Sequence, residues 1–251
     1  MKIPSEITIH DAPVIGAKRG YFITFEGSDG AGKSTQIDLL RQALQKTGFT
    51  VRMLREPGGC KISETLRDIL KDPKNKQLCP EAELMLMNAA RAQLVREVIN
   101  PALEAGEIVL CDRFYHSTIV YQGFGRQLDL NIIKAMIQLA TGKTIPDVTF
   151  VLHLSKEDAE KRTIKRGAKD RFEKDTQDFQ DRVQAGIEWL ASLEMQSNGK
   201  IVSISANDSV ENIHNEIYRC VAARVSGLPS NALELDKAKA IIQVNKDGTI
   251  K

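Results

Sequence analysis

The segment YFITFEGSDGAGKSTQ (21–36) constrains the fold of this chain more than any other. It opens as a short apolar run with high β-propensity and passes into a glycine-rich loop. It then leads into a stretch, up to Gly48, whose apolar residues recur at helical spacing. A strand, a loop and a helix therefore follow one another directly, an order that is typical of α/β proteins.

Strands and helices are predicted to alternate along the rest of the chain. Short apolar runs predict further strands at 50–56, 107–113, 147–155 and 200–206. Longer amphipathic stretches predict helices at 61–72, 81–105, 130–142 and 178–194. Five strands joined by helices predict an α/β fold with a mostly parallel sheet that is covered on both faces.

The same pattern predicts one main domain, residues 20–226, with an addition at each end. The N-terminal extension, 1–19, contains EITIH as a candidate short strand. The C-terminal extension, 227–251, contains IIQVNKDGTIK, which has the pattern of a hairpin.

Composition and charge argue against several classes of protein. The 35 basic and 33 acidic residues nearly balance, so the net charge of +2 favours neither a nucleic-acid nor a membrane partner. The four cysteines contain no CxxC pair, which argues against a zinc site or a disulfide framework. The first 20 residues lack the apolar segment of a signal peptide, and no run reaches the roughly 18 apolar residues of a membrane span. We therefore expect a cytoplasmic protein.

The glycine-rich loop fits the pattern GxxxxGK[ST]. In this pattern backbone N–H groups surround phosphates, the lysine reaches the terminal phosphates, and the hydroxyl helps to hold magnesium. The sequence therefore predicts a bound nucleoside triphosphate with Mg²⁺. The residues predicted to contact it are Gly27, Ser28, Asp29, Gly30, Ala31, Gly32, Lys33, Ser34 and Thr35.

Residues outside the loop distinguish between the switches, motors, transporters and kinases that share it. A GTPase is expected to carry an NKxD motif, but the Asn-Lys pair at 245–246 is followed by Asp247-Gly248 and so lacks the acid at the fourth position. After the strand at 107–113, where water-activating ATPases often carry an acidic pair, this chain has Asp112-Arg113. Asp112 is placed to organise magnesium. Arg113 is either an anion binder for a second phosphate-bearing substrate or a structural partner of an acid.

Five segments resemble those of the thymidylate kinase family, in the same order: FEGSDGAGKST, REPGG, ARAQLV, DRFYHSTIVYQG and RGAKDRFE. The resemblance covers roughly residues 20–225. It implies the P-loop nucleoside monophosphate kinase fold, usually as a homodimer, and transfer of the ATP γ-phosphate to thymidine monophosphate. Two alternatives stay open: a deoxynucleoside monophosphate kinase of different base preference, and a non-catalytic nucleotide-binding regulator.

The chemistry of phosphoryl transfer fits these residues, because it requires positioning and charge neutralisation more than covalent catalysis. The basic stretch 160–175, within a lid predicted at about 160–177, is either a mobile cover for ATP or a solvated helix and loop. The loop carries Ala31 and no arginine, as in bacterial family members with a basic lid. The predicted catalytic residues are Lys33, Asp29, Arg113, Arg166 and Arg171.

The resemblance also implies an acceptor pocket. Arg91 would hydrogen-bond the thymine edge, Pro57 would shape a wall, and Tyr121 would crowd the sugar 2′ position. Met87 stands where many relatives carry an aromatic residue that stacks on thymine, which predicts a softer contact and leaves the base preference open. Arg67 either reaches the acceptor phosphate or lies on the surface. Further lining residues, one helical turn apart, are Ser117, Thr118 and Gln122.

Asp29 poses a problem of charge, because an acid in a phosphate loop should repel the ligand. The resemblance implies that it lies near the acceptor sugar and a magnesium-bound water. There a sugar hydroxyl would donate to it and a nearby cation would offset its charge.

Overall fold

The computed structural model describes residues 19–155, 158 and 170–228. The predicted terminal extensions lie almost entirely outside these residues, and so does most of the predicted lid, including Arg166.

Five parallel strands form one sheet in the order β2-β3-β1-β4-β5. The predicted parallel α/β fold is confirmed, and each predicted strand is found within two residues at either end. The strands are β1 (Phe22–Gly27), β2 (Val51–Arg55), β3 (Ile108–Asp112), β4 (Val148–His153) and β5 (Ile201–Ser205).

Helices connect the strands. They are α1 (Lys33–Lys46), α2 (Lys61–Lys71), α3 (Pro80–Leu94), α4 (Asn100–Glu104), α5 (Tyr115–Thr118), α6 (Leu130–Thr141), α7 (Gln177–Ser192) and α8 (Val210–Ala222). A π-helical segment, Val95–Ile99, continues α3, and another, Ile119–Gly125, continues α5. No helix among the described residues is long and apolar enough to cross a membrane.

Two features of the helices differ from the sequence predictions. The helix predicted at 81–105 changes to π spacing before Pro101, where the N–H of Asn100 donates to the carbonyl of Val95. Proline has no N–H to continue the α-helical ladder, so a local change of spacing accompanies it. Helix α8 was not predicted, although its buried residues Ile213, Ile217 and Val221 follow at intervals of four.

The helices cover both faces of the sheet. Ile23 and Phe25 of β1 pack in one core cluster with residues of α1 and α8. Phe22, whose side chain points to the other face, packs in a second cluster with residues of α3 and α6. Because all five strands run in parallel, their carboxyl ends meet at one edge, where ligands bind in such folds.

Candidate active site

The phosphate loop connects β1 to α1 at this edge of the sheet. Gly27, Gly30 and Gly32 have φ angles of 126°, 80° and 85°, a region that L side chains rarely adopt. At Gly27 an added Cβ would lie 1.8 Å from the carbonyl oxygen of Leu152 on β4, so only glycine fits there. Helix α1 then begins without a side-chain cap from the described residues and without an acid in its first turn. Its N–H groups are therefore suited to an anion.

Lys33 folds back over the loop. Its Nζ donates to the carbonyl of Gly27 at 3.1 Å and to that of Ser28 at 2.9 Å. Burial and the neighbouring Arg113 cation lower the pKa of Lys33 to about 8, while the Asp29 carboxylate, 3.9 Å from Nζ, acts in the opposite direction. Added phosphate charge would favour the protonated amine and raise this pKa again.

Ser34 and Asp112 form a pair suited to magnesium. The Ser34 hydroxyl donates to Oδ2 of Asp112 at 3.2 Å, which joins the start of α1 to the end of β3. The other carboxylate oxygen, Oδ1, is buried and has no hydrogen-bond partner in the described part of the chain. A hydroxyl, a carboxylate and phosphate oxygens are the hard ligands that Mg²⁺ prefers, so these residues fit the ion.

Asp29 faces a cation across the loop. Its Oδ1 accepts a hydrogen bond from Nη2 of Arg113 at 2.7 Å. The guanidinium also donates to the Ser117 hydroxyl at 3.3 Å and lies 5.1 Å from the centre of the Tyr121 ring. The charge of Asp29 is therefore offset by Arg113, with Lys33 close by.

A cavity opens between the phosphate loop and α3, and it brings most of the predicted residues together. Those that line it are Asp29, Gly30, Gly32, Lys33, Ser34, Pro57, Met87, Arg91, Asp112, Arg113, Ser117, Thr118, Tyr121 and Gln122. Among the predicted loop residues, the ones that do not line it are Gly27, Ser28, Ala31 and Thr35.

Arg91 is fixed in the cavity wall by buried partners. Its Nε donates to Glu56 at 2.8 Å, and Nη1 donates to the Thr118 hydroxyl at 2.9 Å. Nη2 donates to the carbonyl of Phe114. Burial raises the pKa of Glu56 to about 7, while the Arg91 charge acts in the opposite direction. The sequence placed Glu56 beside the predicted wall but gave no sign that it holds Arg91.

Three further cations line the cavity, of which only Arg67 was considered from the sequence. Nη1 of Arg67 donates to the carbonyl of Pro57 at 2.6 Å. Arg55 pairs with Glu64, and Lys71 pairs with Asp170, each at 2.8 Å. Together with Arg113 these side chains bring four cations to the lining of the cavity, three of them paired with acids. The REPGG motif contains Arg55, so the sequence did carry a signal for it.

Arg171 does not line the cavity, so its approach to the transferred phosphate stays a prediction. The side chain is buried; Nε donates to the carbonyl of Leu70 at 2.8 Å, and Nη2 lies 2.7 Å from the carboxylate of Glu83. Glu83, itself fully buried, also accepts hydrogen bonds from Gln122 and Arg126. A buried carboxylate needs such partners, and Arg171 is committed to supplying one.

The phosphate loop and the Ser34–Asp112 pair line this cavity together with several arginines. On a five-stranded parallel sheet, this arrangement defines a P-loop phosphotransferase with a phosphorylated acceptor. The family model described as thymidylate kinase matches residues 25–217, and the chain belongs to that family.

Individual relatives agree. The thymidylate kinase of an Exiguobacterium species is 44% identical over 198 residues, which cover 79% of this chain and 92% of the relative. That of Geobacter sulfurreducens is 45% identical, with 76% and 92% covered. The crystal structure of thymidylate kinase from Ehrlichia chaffeensis superposes with a TM-score of 0.65 at 30% identity, covering 81% of this chain and 98% of that one.

Proposed function

We propose that this protein transfers the γ-phosphate of ATP to the 5′-phosphate of thymidine monophosphate, giving thymidine diphosphate and ADP. The observation that carries the proposal is a single cavity lined by Lys33 of the phosphate loop, Arg113 after β3 and Arg91 of α3. We assign Lys33 to the ATP side of this cavity and Arg91 to the acceptor side. Membership of the thymidylate kinase family supports the same reaction.

On the donor side, the loop N–H groups and Lys33 bind the β- and γ-phosphates of ATP. Ser34 and Asp112 would hold Mg²⁺, which when bound supplies neutralising charge at the phosphate oxygens. The Asp112 oxygen without a described partner supports this role.

On the acceptor side, Arg113 binds the 5′-phosphate, and Arg67 and Arg55 add positive charge around it. Arg91 and Thr118 approach the base edge, and Asp29 accepts from the sugar hydroxyl. The lining residues Pro57, Ser117, Tyr121 and Gln122 shape the rest of the pocket. We retain Arg166 as the lid arginine that reaches the transferred phosphate; it lies outside the described residues.

A second candidate function rests on Met87 alone, whereas family membership favours thymidine monophosphate as the acceptor. The side chain of Met87 lines the cavity, so the base meets a flexible thioether where an aromatic ring would select by stacking. The protein would then be a deoxynucleoside monophosphate kinase with another base preference. The third candidate is a non-catalytic regulator. The presence of Lys33, Asp112 and Arg113 together in one cavity argues against it.

The experiment that separates these candidates is a scan of acceptors. We expect kcat/KM, with saturating ATP and Mg²⁺, to be higher for thymidine monophosphate than for deoxyuridine, deoxycytidine or deoxyguanosine monophosphate. A higher value for any of the last three would overturn the thymine assignment. Replacement of Met87 with Phe should sharpen the preference for thymine by restoring a stacking surface.

We further propose a homodimer in the cytoplasm. Helices α3 and α6 pack side by side and expose large apolar side chains: Met85 on α3, and Ile132 and Leu139 on α6. A stripe of this kind is suited to a second copy of the chain. The four cysteines are all free, which fits a reducing compartment.

A further inference from the structure

Glu26 is a buried acid at the end of β1, directly before the phosphate loop, and none of the roles proposed above uses it. Its Oε1 accepts hydrogen bonds from the backbone N–H groups of Phe114 at 2.8 Å and Ser117 at 3.2 Å. Its Oε2 accepts from the Ser117 hydroxyl at 2.6 Å. One side chain of β1 thus satisfies three donors at the start of α5.

These bonds surround an unusual backbone conformation. Arg113, between Asp112 and Phe114, has a φ of 68°. This value lies in the left-handed region, which residues other than glycine adopt only at a cost in free energy. Its own N–H donates to the carbonyl of Phe25 at 2.8 Å, and the next N–H donates to Glu26. Neighbouring residues of β1 therefore hold the turn on both of its sides, one with its backbone and one with its side chain.

The turn determines where the guanidinium of Arg113 lies. A left-handed residue directs its Cβ differently from an extended or right-handed one, and here the side chain reaches back over the loop to Asp29 at 2.7 Å. Without the carboxylate, the N–H group of Phe114 would lose its acceptor, while that of Ser117 would keep only its bond to the carbonyl of Phe114. Relaxation of the turn would relieve both the cost of the unpaired N–H group and the strain.

We propose that Glu26 is a positioning residue, which holds the left-handed turn at Arg113 and thereby aims its guanidinium at the acceptor phosphate. The effect on catalysis rests on the role proposed above for Arg113, whereas the effect on the turn does not. Arg113 and Lys33 both lie near Glu26, so the competing explanation is that Glu26 only balances their charge.

Two conservative variants separate these explanations. In Glu26→Gln the amide oxygen can accept from both N–H groups, and the amide nitrogen can donate to the Ser117 hydroxyl, so the contacts survive without charge. In Glu26→Asp the charge survives, but the carboxylate is withdrawn by one methylene. If Glu26 positions Arg113, the KM for thymidine monophosphate should stay within about threefold of wild type in Glu26→Gln and rise about tenfold or more in Glu26→Asp. The dissociation constant of ATP should be unchanged in both variants. The reverse order would overturn the proposal in favour of charge balance.

The turn itself is tested by thermal unfolding, independently of activity. While the turn is left-handed, Arg113→Gly should unfold about 2–4 °C above Arg113→Ala, because glycine is not strained there. Glu26→Met removes the carboxylate acceptors but fills a similar volume. Added to both Arg113 variants, it should abolish or reverse the difference between their unfolding temperatures. If the Met variant does not fold, Glu26→Asp should narrow the difference. If the Glu26 substitution leaves the difference between the unfolding temperatures of Arg113→Gly and Arg113→Ala unchanged, Glu26 does not hold the turn.

A double-mutant cycle completes the test. In the Arg113→Ala background, Glu26→Asp should change kcat/KM by no more than about twofold, since its effect passes through Arg113. If the two substitutions instead lower kcat/KM by independent factors that multiply, the positioning role would be overturned. If Arg113→Ala alone left activity intact, the proposed function of Arg113 would fail, while the unfolding comparison would still report on the turn.

Discussion

At the scale of single residues, Asp29 is the acid that a phosphate site has to accommodate. The structure gives it a cation on each side, with Arg113 at 2.7 Å and Lys33 at 3.9 Å. The acid therefore anchors the guanidinium of Arg113. The Asp29 side chain also lines the cavity.

Replacement of Asp29 with Asn should separate turnover from ATP binding. The amide cannot form the ion pair with Arg113, so we expect kcat with thymidine monophosphate to fall about 10- to 100-fold while the ATP dissociation constant changes less than about twofold. Steady-state kinetics and calorimetry measure the two quantities. Asp38→Asn is a matched control, because Asp38 pairs with Arg41 on α1 away from the cavity. Normal turnover in the Asp29 variant would contradict the assignment.

The lowered pKa of Lys33 predicts proton uptake on ATP binding. With a pKa of about 8 in the free protein, part of the Lys33 population is neutral at pH 8, and the phosphate charge restores the proton. We expect uptake of about half a proton at pH 8 and almost none at pH 6.5. Calorimetry in two buffers with different ionisation enthalpies measures this number. Lys33→Ala should show no such uptake, and equal values at the two pH values in the wild type would contradict the prediction.

At the scale of elements, the described end of the predicted lid is docked onto helices beside the cavity. Arg171 reaches the buried Glu83 of α3, and Asp170 pairs with Lys71 at the end of α2. Asp175 pairs with Arg126, which also contacts Glu83. The lid base, residues 170–175, is therefore tied to the helices that form the acceptor pocket.

This docking predicts a structural role for Arg171. We expect Arg171→Ala to lower the unfolding temperature by about 2–6 °C, because the buried carboxylate of Glu83 loses one of its two arginine partners and retains only Arg126. The loss in kcat should stay below about tenfold, which is smaller than the loss of a transition-state cation. Lys174→Ala is the control, since it removes the same charge from an exposed position in the same segment. An unchanged unfolding temperature with turnover lost would instead support a catalytic Arg171.

The strands and the phosphate loop were predictable from the sequence, whereas the buried ion pair of Arg171 was not. The strands were predictable because they are short runs rich in apolar and β-branched residues, and the loop because its glycines and Lys33 have fixed spacing. The location of Arg171 was not predictable, because its partner Glu83 lies 88 positions away and appears in the sequence as one more polar residue of an amphipathic helix. For Glu26 there was a signal, an acid within an apolar strand, since such groups are buried only with partners.

At the scale of the whole molecule, the sheet order assembles the site. Because β1 lies between β3 and β4, the phosphate loop is brought beside Asp112 and Arg113, about eighty positions further along the chain. Residues of α3 and of the π-helical segment after α5 complete the lining of the cavity. The exposed apolar stripe on α3 and α6 lies outside this cavity.

Assembly through this stripe can be tested directly. Leu139, 72% exposed on α6, should be buried in a homodimer, so Leu139→Glu should shift the mass in solution from two chains to one. Light scattering after gel filtration measures the mass. Glu104→Lys, a charge change at the end of α4, is the control and should remain dimeric. A monomeric wild type, or a dimer unaffected by Leu139→Glu, would contradict the proposed interface.

The central claim is that one cavity transfers phosphate from ATP to thymidine monophosphate, and the most direct measurement is the product itself. Purified protein incubated with ATP, Mg²⁺ and thymidine monophosphate should form thymidine diphosphate and ADP in equal amounts, as separated by ion-exchange chromatography. Lys33→Ala should reduce the rate by about 100-fold or more. Binding of ATP by the wild type without formation of thymidine diphosphate would contradict the claim and favour a nucleotide-binding regulator.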